Sequence, residues 1–328
     1  MKCTNNRRLL YLLGVAAVFI SGCGKTQVSF ENPYSVYEQT AAYGISSQMN
    51  SNDKAFFSEN LCVIDDVALG TESTHSEVAM SAGVFNLATN TVTYAQNIYD
   101  KMYPASTTKI MTAYLAIKYG NLDEYVTISE NVLNLDPDSS VCNLKPGDII
   151  SLRDLVYGLL IKSGNDAAVA IAEHISGSEE AFAALMNEEV AAMGASCTHF
   201  MNAHGLPDEN HYTSCYDLYL IFQNCLMQPE FVKIIQTRSY DVVYTNSNGD
   251  AVSYTWENTN RYLTGSVETP EGVTVLGGKT GTTGQAGYCL LLYSTNSNNE
   301  PIVSIVLKAD GRSNLYLLMN EILTGFAN

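Results

Sequence analysis

Three short segments of this 328-residue chain carry side chains suited to making and breaking acyl bonds. The first is Ser106-Thr107-Thr108-Lys109, at the start of a helical pattern. Spacing of i, i+3 puts its hydroxyl and amine on one helix face. A serine alcohol attacks a carbonyl only when a base takes its proton, and that base must be neutral. Lysine serves if burial or a neighbouring cation lowers its pKa. A serine at a helix start also offers a backbone N–H, half of an oxyanion hole. The second segment, Ser163-Gly164-Asn165, places a hydroxyl and an amide between two helical patterns. Alone it reads as a helix break with an Asn cap. The third, Lys279-Thr280-Gly281 followed by Thr282, puts a cation, two hydroxyls and a glycine on a strand. Such a strand suits docking of an extended peptide ending in a carboxylate, and the glycine lets that peptide's backbone come close. Each motif alone is weak. Ser51-Asn52-Asp53-Lys54 also matches the first but lies in a polar tract, and Ser294-Thr295-Asn296 and Ser297-Asn298-Asn299 match the second inside a turn. To act on one acyl bond, the three must meet in one groove.

The elements around these segments are legible from periodicity. Residues 77–97 hold two β-like runs about Thr89-Asn90, a hairpin, and Pro104 precedes a helix over Ser106–Tyr119 that Gly120 stops. Leu152, Leu155, Val156, Leu159 and Leu160 form an amphipathic stripe, and a second helix follows with Asn165 or Asp166 as its N-cap. Phe182, Met186, Val190 and Met193 continue the helical texture. From about residue 240 it turns to β: two runs flank Asn248-Gly249, an explicit hairpin signal, and three more strands separated by Gly- or Asn-rich turns precede a closing helix through Leu315, Leu318, Met319, Ile322 and Leu323. Strands at both ends with helices between predict an α+β fold. One antiparallel sheet packs with N- and C-terminal helices, and an all-helical lobe is inserted in the middle.

Composition bounds the partners. With 46% hydrophobic and 16% charged residues the chain can bury a core, and a net charge of −17 argues against nucleic acid, which needs a basic face. Lys2, Arg7 and Arg8 precede the apolar run Leu9–Ile20, too short to span a bilayer comfortably and suited to a signal peptide. That run ends in Ile20-Ser21-Gly22-Cys23, which resembles a bacterial lipobox, whose Cys is lipidated; the competing reading is an uncleaved anchor helix. Either way the rest of the protein lies outside the cytoplasmic membrane. The expected organisation is a signal over 1–22, a lipidated N-terminus and flexible stalk over 23–76, and a catalytic domain over 77–328. Cys62, Cys142, Cys197, Cys215, Cys225 and Cys289 remain beyond Cys23; their spacings select no pairing and suggest no zinc, and single buried thiols fit as well.

In order and context, the three motifs resemble those of the penicillin-recognising serine enzymes. The blocks "YPASTTKIMTAY", "LKPGD", "GLLIKSGNDAAVAIAEHI", "MNAHGLPD", "WENTN" and "GGKTGTTGQAGYCL" are similar to those of the low-molecular-weight D-Ala-D-Ala carboxypeptidases, over about residues 77–326. The resemblance implies a β-lactamase/transpeptidase-like fold and an acyl-enzyme on Ser106, with Lys109 as base and Ser163 as proton relay. It further implies that Asn165 holds a substrate amide and that Lys279, Thr280, Gly281 and Thr282 bind the substrate strand and its carboxylate. The backbone N–H groups of Ser106 and Thr282 form the oxyanion hole, and no metal or cofactor is required. The implied partners are peptidoglycan stem peptides ending in D-Ala-D-Ala and β-lactams as covalent inhibitors. Two departures matter. The chain ends too soon after its Lys-Thr-Gly for the second β-rich domain and C-terminal membrane helix that many members carry, and no confident carboxylate-binding arginine stands out, Arg261 being a weak candidate. Two rivals stay open: a class A-like β-lactamase, which needs a glutamate in a loop where this chain reads "THFMNAHG", and a non-catalytic sensor, which would have lost a catalytic side chain.

Overall fold

A computed structural model describes residues 60–70 and 76–327. The signal, Cys23 and the second Ser-x-x-Lys match lie outside the described residues. A hairpin comes first: β1 (Ala79–Asn86) and β2 (Thr91–Gln96) pair antiparallel about a turn in which Asn90 takes a positive φ of 55°. A single turn, Ala105–Thr108, then runs into α1 (Lys109–Tyr119). Two three-residue strands follow, β3 (Tyr125–Thr127) and β4 (Ile149–Ser151). Next come α2 (Leu152–Tyr157), widening over Gly158–Lys162, then α3 (Asn165–Ser176), α4 (Glu179–Ala192), α5 (Cys215–Leu226) and α6 (Pro229–Ile235). The chain returns to sheet in β5 (Ser239–Thr245) and β6 (Ala251–Glu257), and a short α7 (Arg261–Thr264) precedes β7 (Thr274–Thr283), β8 (Gly287–Thr295), β9 (Pro301–Ala309) and α8 (Arg312–Phe326).

The main sheet is antiparallel, in the order β2-β1-β9-β8-β7. The N-terminal hairpin therefore pairs with the last strand, closing one lobe from both ends of the domain, as the element pattern predicts. Its strands alternate with period two, yet both faces are buried. On one face Ala82, Val84, Leu290, Leu292, Ile302 and Val306 meet the α8 stripe of Leu315, Leu318, Met319, Ile322 and Leu323. On the other, Phe85, Leu291, Val303 and Ile305 join the helical core. Helix α1 runs through that core: Ile110, Met111, Ala113, Leu115 and Ala116 are all inaccessible to solvent. A helix apolar on every side belongs at the centre, and this one carries Lys109 into the interior.

Two sequence expectations need correction. The inserted segment is not all-helical, because β5 and β6 leave the main sheet and form a second one with the short β3 and β4, in the order β3-β4-β5-β6. Three-residue strands carry no readable periodicity. The N-terminal helix expected beside the main sheet would lie outside the described residues; among those described, α8 covers its face of that sheet together with Tyr262 of α7. The stalk does not reach residue 76: within 60–70, Cys62 is wholly buried, donating its N–H to Tyr219 Oη and accepting from Tyr216 Oη at its carbonyl, each at 2.8 Å. Further along, Leu69 exchanges two 2.9 Å backbone bonds with Ala95. This strap has no regular structure of its own; tyrosine hydroxyls and a strand edge hold it. All six described cysteines are unpaired.

Candidate active site

The segment that carries Ser106 begins with a sharp bend. Ala105 has φ +48°, a left-handed conformation costly for a residue with a Cβ. The bend is clamped from below by Gly205, itself at φ +89°, where an added Cβ would lie 1.9 Å from the Ala105 carbonyl oxygen. Ser106 is half-buried at the head of the turn, and Lys109 begins α1 with no exposed surface. The Lys109 Nζ lies 2.8 Å from Ser106 Oγ, 2.7 Å from Asn165 Oδ1 and 2.6 Å from the His204 carbonyl oxygen. The last two partners accept only. A neutral amine has two N–H bonds and one lone pair, so its hydrogens go to Asn165 and His204 and its lone pair remains for the Ser106 hydroxyl. Burial is the main cause holding the Lys109 pKa well below the usual lysine value, with repulsion from Lys279 second. The cation-on-cation effect expected from sequence is therefore present but subordinate to desolvation.

Ser163 ends the widened turn after α2 with φ +64° and ψ +33°, a left-handed conformation in a residue that is not glycine. Gly164 follows because a side chain there would run into Cys142 Sγ, 2.4 Å from an added Cβ. The expected cap at Asn165 or Asp166 is not made: Gly164 is the N-cap and offers no side-chain bond. Both polar side chains are occupied elsewhere. Asn165 holds Lys109, and the Asp166 carboxylate accepts the backbone N–H groups of Cys142 at 2.8 Å and Leu144 at 3.0 Å, fixing the segment opposite.

Strand β7 supplies the third wall and is an edge of the main sheet. Lys279 is 1% exposed; its Nζ donates to Ser163 Oγ at 2.9 Å and to the Thr280 carbonyl at 2.8 Å, and burial pushes its pKa down to about 7. Thr280 Oγ1 bonds Thr259 Oγ1 at 2.6 Å, which ties β7 to the "WENTN" block, and Thr282 Oγ1 donates to the Gly281 carbonyl. Gly281 passes directly beside Ser106. An added Cβ would stand 3.0 Å from the Ser106 nitrogen and 3.1 Å from the Pro104 oxygen. Replacing Gly281 with Ala is expected to slow acylation of Ser106 by about tenfold to a hundredfold, because the strand must move off the nucleophile's N–H. Stopped-flow acylation with a fluorescent penicillin checks this.

Ser106, Ser163, Thr280, Gly281 and Thr282 thus line one cleft of about 290 Å³, and Ser106 and Thr282 also line an adjoining cavity of about 530 Å³ that includes Asn165. The structure brings all eight sequence-selected residues together, with Lys109 and Lys279 buried behind the wall. Sequence reasoning missed Arg312. This first residue of α8 lines both cavities and stacks 5.7 Å from the Tyr288 ring. The weak candidate Arg261 lines the 290 Å³ cleft and lies 5.8 Å from the Tyr316 ring. Neither guanidinium has an acidic partner among the described residues. Two unpaired arginines at the mouth of a cleft in so acidic a chain mark an anion-binding end. No spacing rule connects Arg312 to the motifs. Sequence reasoning also passed over the His204 carbonyl, since backbone oxygens have no residue-type signature.

Comparison with known proteins agrees with this arrangement. The family profile described as D-alanyl-D-alanine carboxypeptidase, peptidase S11, matches residues 70–311. The chain is 36% identical to the D-alanyl-D-alanine carboxypeptidase DacA of Haemophilus influenzae, covering 71% of this chain and 58% of that protein, and 35% identical to DacF of Bacillus subtilis, covering 69% and 57%. It therefore spans less than two thirds of the length of these relatives. Among solved structures it is similar to a DD-transpeptidase of Streptomyces, with TM-score 0.70 and 27% identity over 76% of this chain and 97% of that one. The D-alanyl-D-alanine carboxypeptidase DacD of Francisella tularensis matches with TM-score 0.68 and 27% identity over 80% and 73%. The coincidence of a matched profile with a buried lysine turned onto a serine makes this chain a member of the D-alanyl-D-alanine carboxypeptidase family, peptidase S11.

Proposed function

We propose that this protein is a serine-type D-alanyl-D-alanine carboxypeptidase acting on peptidoglycan stem peptides, acylated by β-lactams at the same serine. The observation that carries the reading is the Lys109 amine, 2.8 Å from Ser106 Oγ with two obligate acceptors taking its hydrogens. Ser106 Oγ attacks the carbonyl between the two terminal D-alanines, and its proton passes to Lys109 Nζ. The carbonyl oxygen becomes an oxyanion held by the backbone N–H groups of Ser106 and Thr282. As the C–N bond breaks, Ser163, whose oxygen accepts from Lys279 and whose hydroxyl hydrogen is free to point into the cleft, relays to the leaving D-alanine nitrogen the proton that Lys109 took from Ser106, so Ser163 ends as a hydroxyl and Lys109 is neutral again. Asn165 positions Lys109 and the substrate amide. The terminal carboxylate lies toward Thr280 and Thr282, in the field of Lys279, Arg261 and Arg312. Water then attacks the ester as Lys109 removes its proton, and when the C–Oγ bond breaks Lys109 returns that proton to Ser106.

This division of labour requires Lys109 neutral and Lys279 charged at once. Burial depresses both groups, Lys109 to well below the usual lysine value and Lys279 to about 7. Hence kcat/KM is expected to be bell-shaped, rising as Lys109 loses its proton and falling as Lys279 loses its own. A profile flat between about pH 6 and 10 contradicts the assignment. The activity itself is tested by incubating the purified domain with a pentapeptide ending in D-Ala-D-Ala. Release of one D-alanine supports the reading, and no release from a folded protein removes it.

Attachment to the outer face of the cytoplasmic membrane through lipid on Cys23 belongs to the same proposal. It rests on the basic start, short apolar run and Ile20-Ser21-Gly22-Cys23. Among the described residues no helix is long and apolar enough to cross a membrane. Metabolic labelling with a fatty-acid probe, lost in Cys23→Ser, is the check.

A further inference from the structure

The His204 carbonyl that orients the base needs its own support, since it belongs to a loop without regular structure. His204 is buried, and its ring is held at both nitrogens. Nδ1 accepts the Leu206 N–H at 3.1 Å, so the ring proton is on Nε2, which donates to Glu179 Oε1 at 3.0 Å. The same Glu179 oxygen accepts the Ala203 N–H at 3.3 Å. Glu179 is the first residue of α4, behind the N-cap Ser178, a place that favours a carboxylate. Burial opposes its ionisation, but the hydrogen bonds it accepts from His204 and from the Ala203 N–H bring its carboxyl below the usual range. Neighbouring contacts complete the clamp: Thr112 Oγ1 donates to the Ala203 carbonyl at 2.6 Å, and Asn202 Oδ1 accepts the Gly205 N–H at 2.7 Å. Glu179 does not line either cavity containing Ser106.

We propose that Glu179 is a positioning residue for the acylation step, holding His204 so that its backbone carbonyl takes one hydrogen of Lys109 and leaves the lone pair aimed at Ser106. This inference rests on the acyl-enzyme reading above. The role is one of reach rather than charge. The influences that set the Lys109 pKa are burial, Lys279, Cys142 and Asp166, and Glu179 is absent from them. Two isosteric or isoelectronic variants therefore separate the readings. Glu179→Gln keeps an oxygen at the same distance to accept from His204 Nε2–H. Glu179→Asp keeps the charge and withdraws the oxygen by one methylene.

The test is stopped-flow acylation by a fluorescent penicillin on the intact domain, resolving the noncovalent Kd from the acylation rate constant, with thermal unfolding of each variant. Glu179→Asp and Glu179→Ala are expected to slow acylation by about tenfold to a hundredfold at unchanged Kd. Glu179→Gln is expected to stay within about threefold of wild type. His204→Ala is expected to match Glu179→Ala, and the double variant to be no slower than the worse single one, because the pair acts as one device. Wild-type rates in Glu179→Asp, a Gln variant as slow as Asp, or a loss confined to Kd each overturn the proposal. A wild-type protein that penicillin does not acylate would instead defeat the functional reading on which it stands.

Discussion

Replacing Ser106 with Ala is expected to abolish labelling by a fluorescent penicillin and to lower D-alanine release by at least about a thousandfold. Lys109, Asn165, Ser163 and Lys279 remain in place, but without Oγ there is no atom to carry the acyl group. Oxyanion and carboxylate contacts do not depend on that oxygen, so the variant should still bind substrate and unmodified penicillin. Ser106 is only half-buried and its Oγ bonds Lys109, whose two other partners survive, so the unfolding midpoint should move by no more than about 2–4 °C. Gel fluorescence, peptide product analysis and a thermal melt suffice. Retained labelling would transfer the nucleophile's role elsewhere. Rapid hydrolysis of nitrocefin by the wild type would favour the β-lactamase alternative, for which the described cavities around Ser106 offer no glutamate.

Lys109→Met is expected to remove activity as completely, and to change how stability depends on pH. The buried amine binds a proton less readily folded than unfolded, where its value is near 10.5. Between those two values the unfolded chain holds one more proton than the native protein, so unfolding free energy rises with pH. The cost is fully present below the folded pKa and disappears toward the unfolded one. The slope from one such group is about 1.4 kcal/mol per pH unit. Methionine of similar length lacks it. The difference between wild type and variant should therefore move in the wild type's favour by about that amount per unit as pH rises from the depressed folded pKa toward 10.5. At any single pH the sign of the difference is mixed, because the variant leaves Asn165 Oδ1 and the His204 carbonyl without the amine. Urea unfolding at three pH values tests the slope. Parallel curves would mean that Lys109 is not held neutral, and the base would have to be sought elsewhere.

Much of the site was legible because its chemistry is carried by residue types at short spacings. Ser106 and Lys109 are separated by one helical step, Lys279 to Thr282 are consecutive on one strand, and hydrophobic periodicity placed each on its element. The main sheet followed from the same logic: two β-rich ends of the domain, each unable to bury both faces alone, had to pair. The short β3 and β4 escaped notice, since three residues cannot display a period, and the strap over residues 60–70 read as stalk because its order comes from Tyr216, Tyr219 and Ala95.

The amino-acid order by itself determined which hydroxyls, amines and amides this protein can bring to an acyl bond, because side-chain identity is written residue by residue. Only the tertiary structure decided which proton each of them holds. The direction of the Lys109 lone pair depends on Asn165 Oδ1 and on a backbone oxygen from residue 204, and the depressed lysine values depend on water being excluded by the packed core around α1. The left-handed Ser163 and the arrival of Arg312 at the cleft mouth have the same origin. Burial, hydrogen-bond acceptors and electrostatic neighbours are properties of a place in space, and distant segments acquire a common place only when the chain has folded.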